Sequence, residues 1–148
     1  MNNLLLEEQE FSFEYFNSKI AYKIGKAISD KIIANNLAVA VNIYAYNKTL
    51  YHFTNDNTIP DKENWLIRKR NIVLHFHHSS KYINEKLNND QTLLISKYGL
   101  NIENYAAIAG SFPIIVKNCG VIGAISISGL EPNDDHQLII NTLKILKI

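Results

Sequence analysis

Apolar positions recur along the chain with two different periods, and the switches between them mark the elements. Ile20, Ile24, Ala27, Ile28 and Ile32 fall at helical spacing and predict a helix over residues 18–35, ended by Asn35-Asn36. Before it, residues 3–16 read as a short helix running into an irregular or extended stretch from Phe11 to Phe16. From Ala38 to Tyr46 the period drops to two, with Val39, Val41, Ile43 and Ala45 on one face. Thr49 to Thr54 follows after Asn47-Lys48. Because Asn tolerates the left-handed conformation, that two-residue connection predicts a hairpin.

Asp61, just after Pro60, is placed to cap a long helix over residues 62–88 whose buried stripe is Leu66, Val73, Phe76, Ile83 and Leu87. A shorter helix over residues 90–98 stops at Gly99. Residues 110–116 and 121–128 then predict two strands joined by the turn Asn118-Cys119-Gly120, where Gly120 is free to take positive φ. Asn133 caps a last helix with Asp134 and Asp135 in its first turn and Lys144 and Lys147 in its last, both favourable to the helix dipole. Ile139, Leu143 and Leu146 form its core face. The order of elements predicts an α+β fold, a central and mainly antiparallel sheet flanked by helices, in a single domain over residues 1–148.

Composition narrows the class without naming a function. Apolar residues at 47% and charged residues at 20% exclude a disordered chain. A net charge of +1 gives no global field toward nucleic acid or anionic lipid, so neither is an expected partner. Apolar runs fall far short of the roughly 20 residues that cross a bilayer. The chain opens Met1-Asn2-Asn3-Leu4-Leu5-Leu6 and runs into Glu7, Glu8 and Glu10, unlike an export signal; with Cys119 as the sole cysteine, this predicts a cytoplasmic location. Local charge is less even. Residues 1–16 carry Glu7, Glu8, Glu10 and Glu14 with no Lys or Arg, whereas residues 65–81 carry Arg68, Lys69, Arg70 and Lys81 with no carboxylate. The two segments either pair, within a chain or between subunits, or form solvated helix faces.

The only Trp and the only two Arg lie together in Asn64-Trp65-Leu66-Ile67-Arg68-Lys69-Arg70-Asn71. An indole offers a stacking face and guanidinium groups grip a carboxylate or phosphate in bidentate fashion, so Trp65, Arg68 and Arg70 are candidates to clamp a planar anionic ligand. The plainer reading is a Trp in the core and Arg at a subunit contact. Further on, His75 and His78 lie one turn apart, but the segment supplies no third ligand, so no metal site is expected. Ser79 and Ser80 in mid-helix point to a close helix contact or the polar wall of a cavity. The glycines of Gly120 to Gly129 lie along a strand followed by two carboxylates, which excludes a phosphate loop. Asp135 and His136 could act as an acid/base pair, or simply as a cap and an exposed His.

Taken together, Asn64-Trp65, Arg68-Lys69-Arg70, His78-Ser79-Ser80, Gly110-Ser111-Phe112-Pro113-Ile114, Gly120-Val121-Ile122-Gly123, Ser128-Gly129-Leu130 and Asp135-His136 resemble one family in order and spacing. It is the GlcG/HbpS-like domain family, labelled haem-degrading, and within it the uncharacterised-protein-family branch. The resemblance implies a profilin-like α+β fold, a homo-oligomer built from dimers, and an association with haem. The branch has His-Gly-Gly where this chain has Ile108-Ala109-Gly110. No motif names a haem ligand; His52, His136 and the tyrosines are the available side chains. The expectation is an oligomeric domain that binds a small anionic ligand in a pocket lined by Trp65, Arg68, Arg70, Phe112, Ser128 and His136. The alternatives are an interaction protein whose distinctive residues make subunit or partner contacts, and an enzyme using Asp135 and His136.

Overall fold

A four-stranded antiparallel sheet organises the chain, and the computed structural model describes all of residues 1–148. The elements run α1 (Asn2–Glu10), α2 (Ser18–Ala34), β1 (Ala40–Ala45), β2 (Lys48–Thr54), α3 (Pro60–Phe76), α4 (Ser80–Lys86), α5 (Thr92–Ser96), β3 (Ser111–Val116), β4 (Gly120–Ser128) and α6 (Pro132–Leu146). Each hairpin forms as its alternating pattern predicts, and the two join through β1 and β4 in the order β2-β1-β4-β3. No helix is long and apolar enough to cross a membrane.

Four local expectations need correction. The helix expected over residues 62–88 is two helices. His77 takes a left-handed conformation at φ 61°, and Ser79 then caps α4 by accepting the Tyr82 N–H at 3.1 Å. The buried carboxylate of Glu8 secures that break, accepting from Ser79 N at 3.0 Å and meeting His78 Nδ1 at 2.8 Å. Asp61 is not the cap of α3: Ile59 occupies that position with Pro60 next, where the missing N–H costs nothing. Glu131 and Pro132 displace Asn133 in the same way at α6. Finally, the first hairpin turns at Tyr46-Asn47, both at positive φ, one residue before Asn47-Lys48.

The sheet's two faces differ in kind. Period-two alternation sends Val41, Ile43, Ile114, Ile125 and Ile127 to one side, where they pack with Ile24, Ile28 and Ile32 of α2 and Ile139 and Leu143 of α6. The other side carries a polar row in register across all four strands: His52, Asn42, Ser126 and Ser111. Its members bond to one another, Asn42 Nδ2 to His52 Nδ1 at 3.1 Å and Ser111 Oγ to Ser126 Oγ at 2.8 Å. Helix α3 covers this face. Its far flank packs a separate small core of Ile72, Ile83, Leu87, Leu94 and Ala107.

The acidic amino-terminal segment does pair within the chain, but not with Arg68, Lys69, Arg70 or Lys81. Glu8 takes His78, Glu7 takes His136 at 2.6 Å and Glu14 takes Lys117 at 2.8 Å. The sheet edges are also unequal. On β3, the Ser80 hydroxyl accepts the Ser111 N–H, Pro113 has no N–H to offer, and Phe13 bridges Val116 in parallel, exchanging backbone bonds with Ile115 and Lys117 at 2.8 Å. Strand β2 at the other edge has only β1 as a neighbour.

Candidate functional site

Lys62, Trp65 and Lys69, spaced i, i+3 and i+7, share one face of α3. Opposite them the end of β4 and the start of α6 supply Ser128, Gly129, Leu130, Pro132 and Asp135, and Ile108 comes from the segment before β3. These residues line a pocket of about 210 Å³.

An ion pair forms its floor. Lys69 is 3% exposed and Asp135 1%, and Lys69 Nζ donates to Asp135 Oδ2 at 2.9 Å and to the Ile127 carbonyl at 3.1 Å. The second carboxylate oxygen, Oδ1, accepts the Leu130 N–H at 2.9 Å. Burial pulls the Lys69 ammonium down and pushes the Asp135 carboxyl up, each opposed by the other's charge and by their hydrogen bond. Gly110, at φ 133°, makes the approach feasible: a Cβ there would stand 2.6 Å from Lys69 Nζ and 2.7 Å from the Ile127 carbonyl.

Two donors beside this floor lack protein partners. An ammonium has three N–H groups, and Lys69 uses two on the protein. The Ser128 hydroxyl, on the pocket wall, makes no hydrogen bond within the chain although the residue is 3% exposed. Trp65 is half-buried along another wall. The Arg68 guanidinium stacks 4.3 Å from its ring centroid and is anchored by Nη2 on the Ile102 carbonyl at 2.6 Å, which fixes the indole plane.

Of the six expected site residues, the structure brings Trp65 and Ser128 into this pocket, with Arg68 behind the indole. The other three lie elsewhere. Arg70 points 100° away from Lys69 around α3 and stacks 4.3 Å over Tyr44, with Nη1 3.4 Å from Asn42 Oδ1. Asn42 links it to His52, whose Nε2 meets Glu63 Oε1 at 2.9 Å; the Thr54 hydroxyl also bonds Glu63. Burial would raise the Glu63 carboxyl, but the Thr54 and His52 bonds outweigh it and hold it below the usual range. Phe112 belongs to the main core. His136 is buried against its ring, centroids 5.8 Å apart, with Nε2 on Glu7. Asp135 and His136 therefore diverge from α6 to separate partners, and the acid/base pairing considered for them does not form. His75 packs on Phe76 and Tyr105, and His78 serves Glu8.

Lys69 and Lys62 are the site residues that sequence reasoning missed. The signal was present: Lys69 lies three residues after Leu66 and four before Val73, squarely on the stripe assigned to the core. A lysine on that stripe requires a buried partner.

Four of the segments that carry the family resemblance contribute to the pocket, through Trp65, Lys69, Ser128-Gly129-Leu130 and Asp135. A family model for haem-degrading protein HbpS-like matches residues 16–144. A UPF0303 protein of Psychromonas ingrahamii is 35% identical over 143 residues, covering 97% of this chain and 90% of the relative. One from Edwardsiella ictaluri is 40% identical over 136 residues, covering 92% and 87%. Among solved structures, that of Ybr137w superposes with a TM-score of 0.88 at 24% identity over 98% of this chain and 86% of that one. HbpS superposes at 0.68 with 19% identity, covering 89% and 90%, and a PduOC–heme complex at 0.71 with 11% identity, covering 87% and 93%; at these identities the likeness is one of fold. Sequence and architecture agree: the chain belongs to the HbpS-like haem-degrading protein family.

Proposed function

We propose that this chain is a small-ligand-binding member of its family and that the pocket between α3 and the β4–α6 connection is its site. One observation carries the reading: a buried ammonium, Lys69, keeps one N–H unused by the protein, and the Ser128 hydroxyl opens onto the same pocket beside a half-buried indole. A concave apolar wall with a few convergent donors is the usual build of a ligand site. The interaction-protein alternative is less well supported, because Arg68 and Arg70 are engaged by Trp65, Ile102, Tyr44 and Asn42.

Haem reaches this chain through the family's description and through the heme complex of a structural neighbour. The pocket itself does not fit it: its lining holds no His, Cys, Met or Tyr to serve as axial ligand. No haem chemistry is assigned to it.

Trp65 is the only tryptophan, so its emission reports on the pocket directly. Single-ring compounds should shift or quench that emission, and Ile108→Phe, which fills the pocket, should abolish the response. An unaltered response in the filled variant would remove the pocket as the site. Hemin, followed at the Soret band, should leave the single-ring response of Trp65 in place; competition between the two would reassign haem to this pocket.

A further inference from the structure

The lining of the pocket carries two ammonium groups, Lys62 and Lys69, against one carboxylate, Asp135. Both oxygens of Asp135 are engaged by the protein, Oδ2 by Lys69 and Oδ1 by the Leu130 N–H. The site therefore holds a net positive charge and two open donors. Lys62 and Lys69 lie two turns apart on the same face of α3 and line the same pocket, so one anion there faces both. The remaining walls, Trp65, Ile108, Leu130 and Pro132, are apolar.

Resting on the small-ligand reading above, we infer that the ligand is a small monocarboxylate with an apolar body no larger than one ring. Its carboxylate would take the spare Lys69 N–H and the Ser128 hydroxyl with Lys62 over it, and its body would lie along Trp65 and Leu130. Size supports this. A dry apolar cavity of about 150 Å³ holds a benzene ring, so the roughly 210 Å³ here accommodates a ring and one carboxylate. Charge-assisted bonds to a carboxylate are about twice as strong as those to a neutral carbonyl, which sets the expected selectivity.

Sodium benzoate and benzamide share shape and differ in charge, which makes them the deciding probes. Titrated into the full chain at constant ionic strength and followed by Trp65 emission, benzoate should bind about tenfold more tightly than benzamide. Lys62→Gln, a partly exposed substitution that leaves the buried pair intact, should shrink that advantage about threefold and leave benzamide unchanged. Lys69→Met combined with Asp135→Leu removes both members of the pair together and should erase the discrimination. Equal affinity for the two probes in the unmodified chain overturns the carboxylate and leaves the pocket standing. Silence from both overturns the pocket and the carboxylate with it.

Discussion

Val41, Ile43, Ile125 and Ile127 meet α2 and α6 in a mainly aliphatic core, while on the opposite face of the sheet Asn42, Ser126, Ser111 and Ser128 meet α3. The first face closes completely, because branched side chains interdigitate to the density of an organic crystal. Short polar side chains cannot fill the space beneath a helix in that way. What fills it is a lysine, and a lysine brings its own requirements: a counter-ion from α6, a carbonyl from β4 and a glycine at position 110 to make room. Volume dominates one face, with the His136–Glu7 pair at its margin against Phe112, and electrostatic partnership the other, which leaves donors next to open space.

The sharpest way to break this contrast is Asp135→Ala, which strands the Lys69 charge and should cost about 3–5 kcal/mol in urea denaturation. Lys69→Met with Asp135→Leu should recover most of that loss, since an apolar pair can replace a buried ionic one. A loss below about 1 kcal/mol for the single variant would show that the pair is not bearing on stability. Gly110→Ala forces a Cβ onto Lys69 Nζ at an unfavourable φ and should cost about 2 kcal/mol or more, with altered Trp65 emission as the accompanying sign. On the aliphatic face, Ile125→Val should cost about 1 kcal/mol with the emission of Trp65 unchanged; a spectral change there would mean that the two faces are coupled.

Glu63→Gln should have the smallest effect, and one that depends on pH. The folded-state carboxyl lies below its ordinary value, so its contribution is present above the ordinary carboxylate range and is lost as pH falls through the folded value. The stability gap between the unmodified chain and the variant at pH 7 should narrow below the ordinary carboxylate range and close once pH is under the folded value. A gap that does not change with pH would show that Glu63 acts through packing.

Much of the architecture was legible because it depends on local periods. The α2 stripe, both hairpins and the class of the sheet follow from spacing in Ile20 to Ile32, Val39 to Ala45 and Phe112 to Ser128. The break at His77 was not, since the apolar stripe continues in phase from Val73 to Ile83. What interrupts it is Glu8, some seventy residues away in sequence, holding Ser79. The candidate site was half legible for a similar reason. Rarity and motif mark Trp65 and Ser128 in the sequence, and they mark the guanidinium groups equally, whereas the role of Lys69 arises only when β4 and α6 deliver acceptors to it. Asp135 and His136 show the converse, since adjacency in sequence on a helix sends neighbours in different directions.

The unequal sheet edges limit how copies of this chain can extend one another. With β3 sealed by Ser80, Pro113 and Phe13, each molecule has a single strand, β2, available for backbone pairing with another. Joining through that strand would use up both participants, so backbone pairing of this kind would stop at a closed twofold pair.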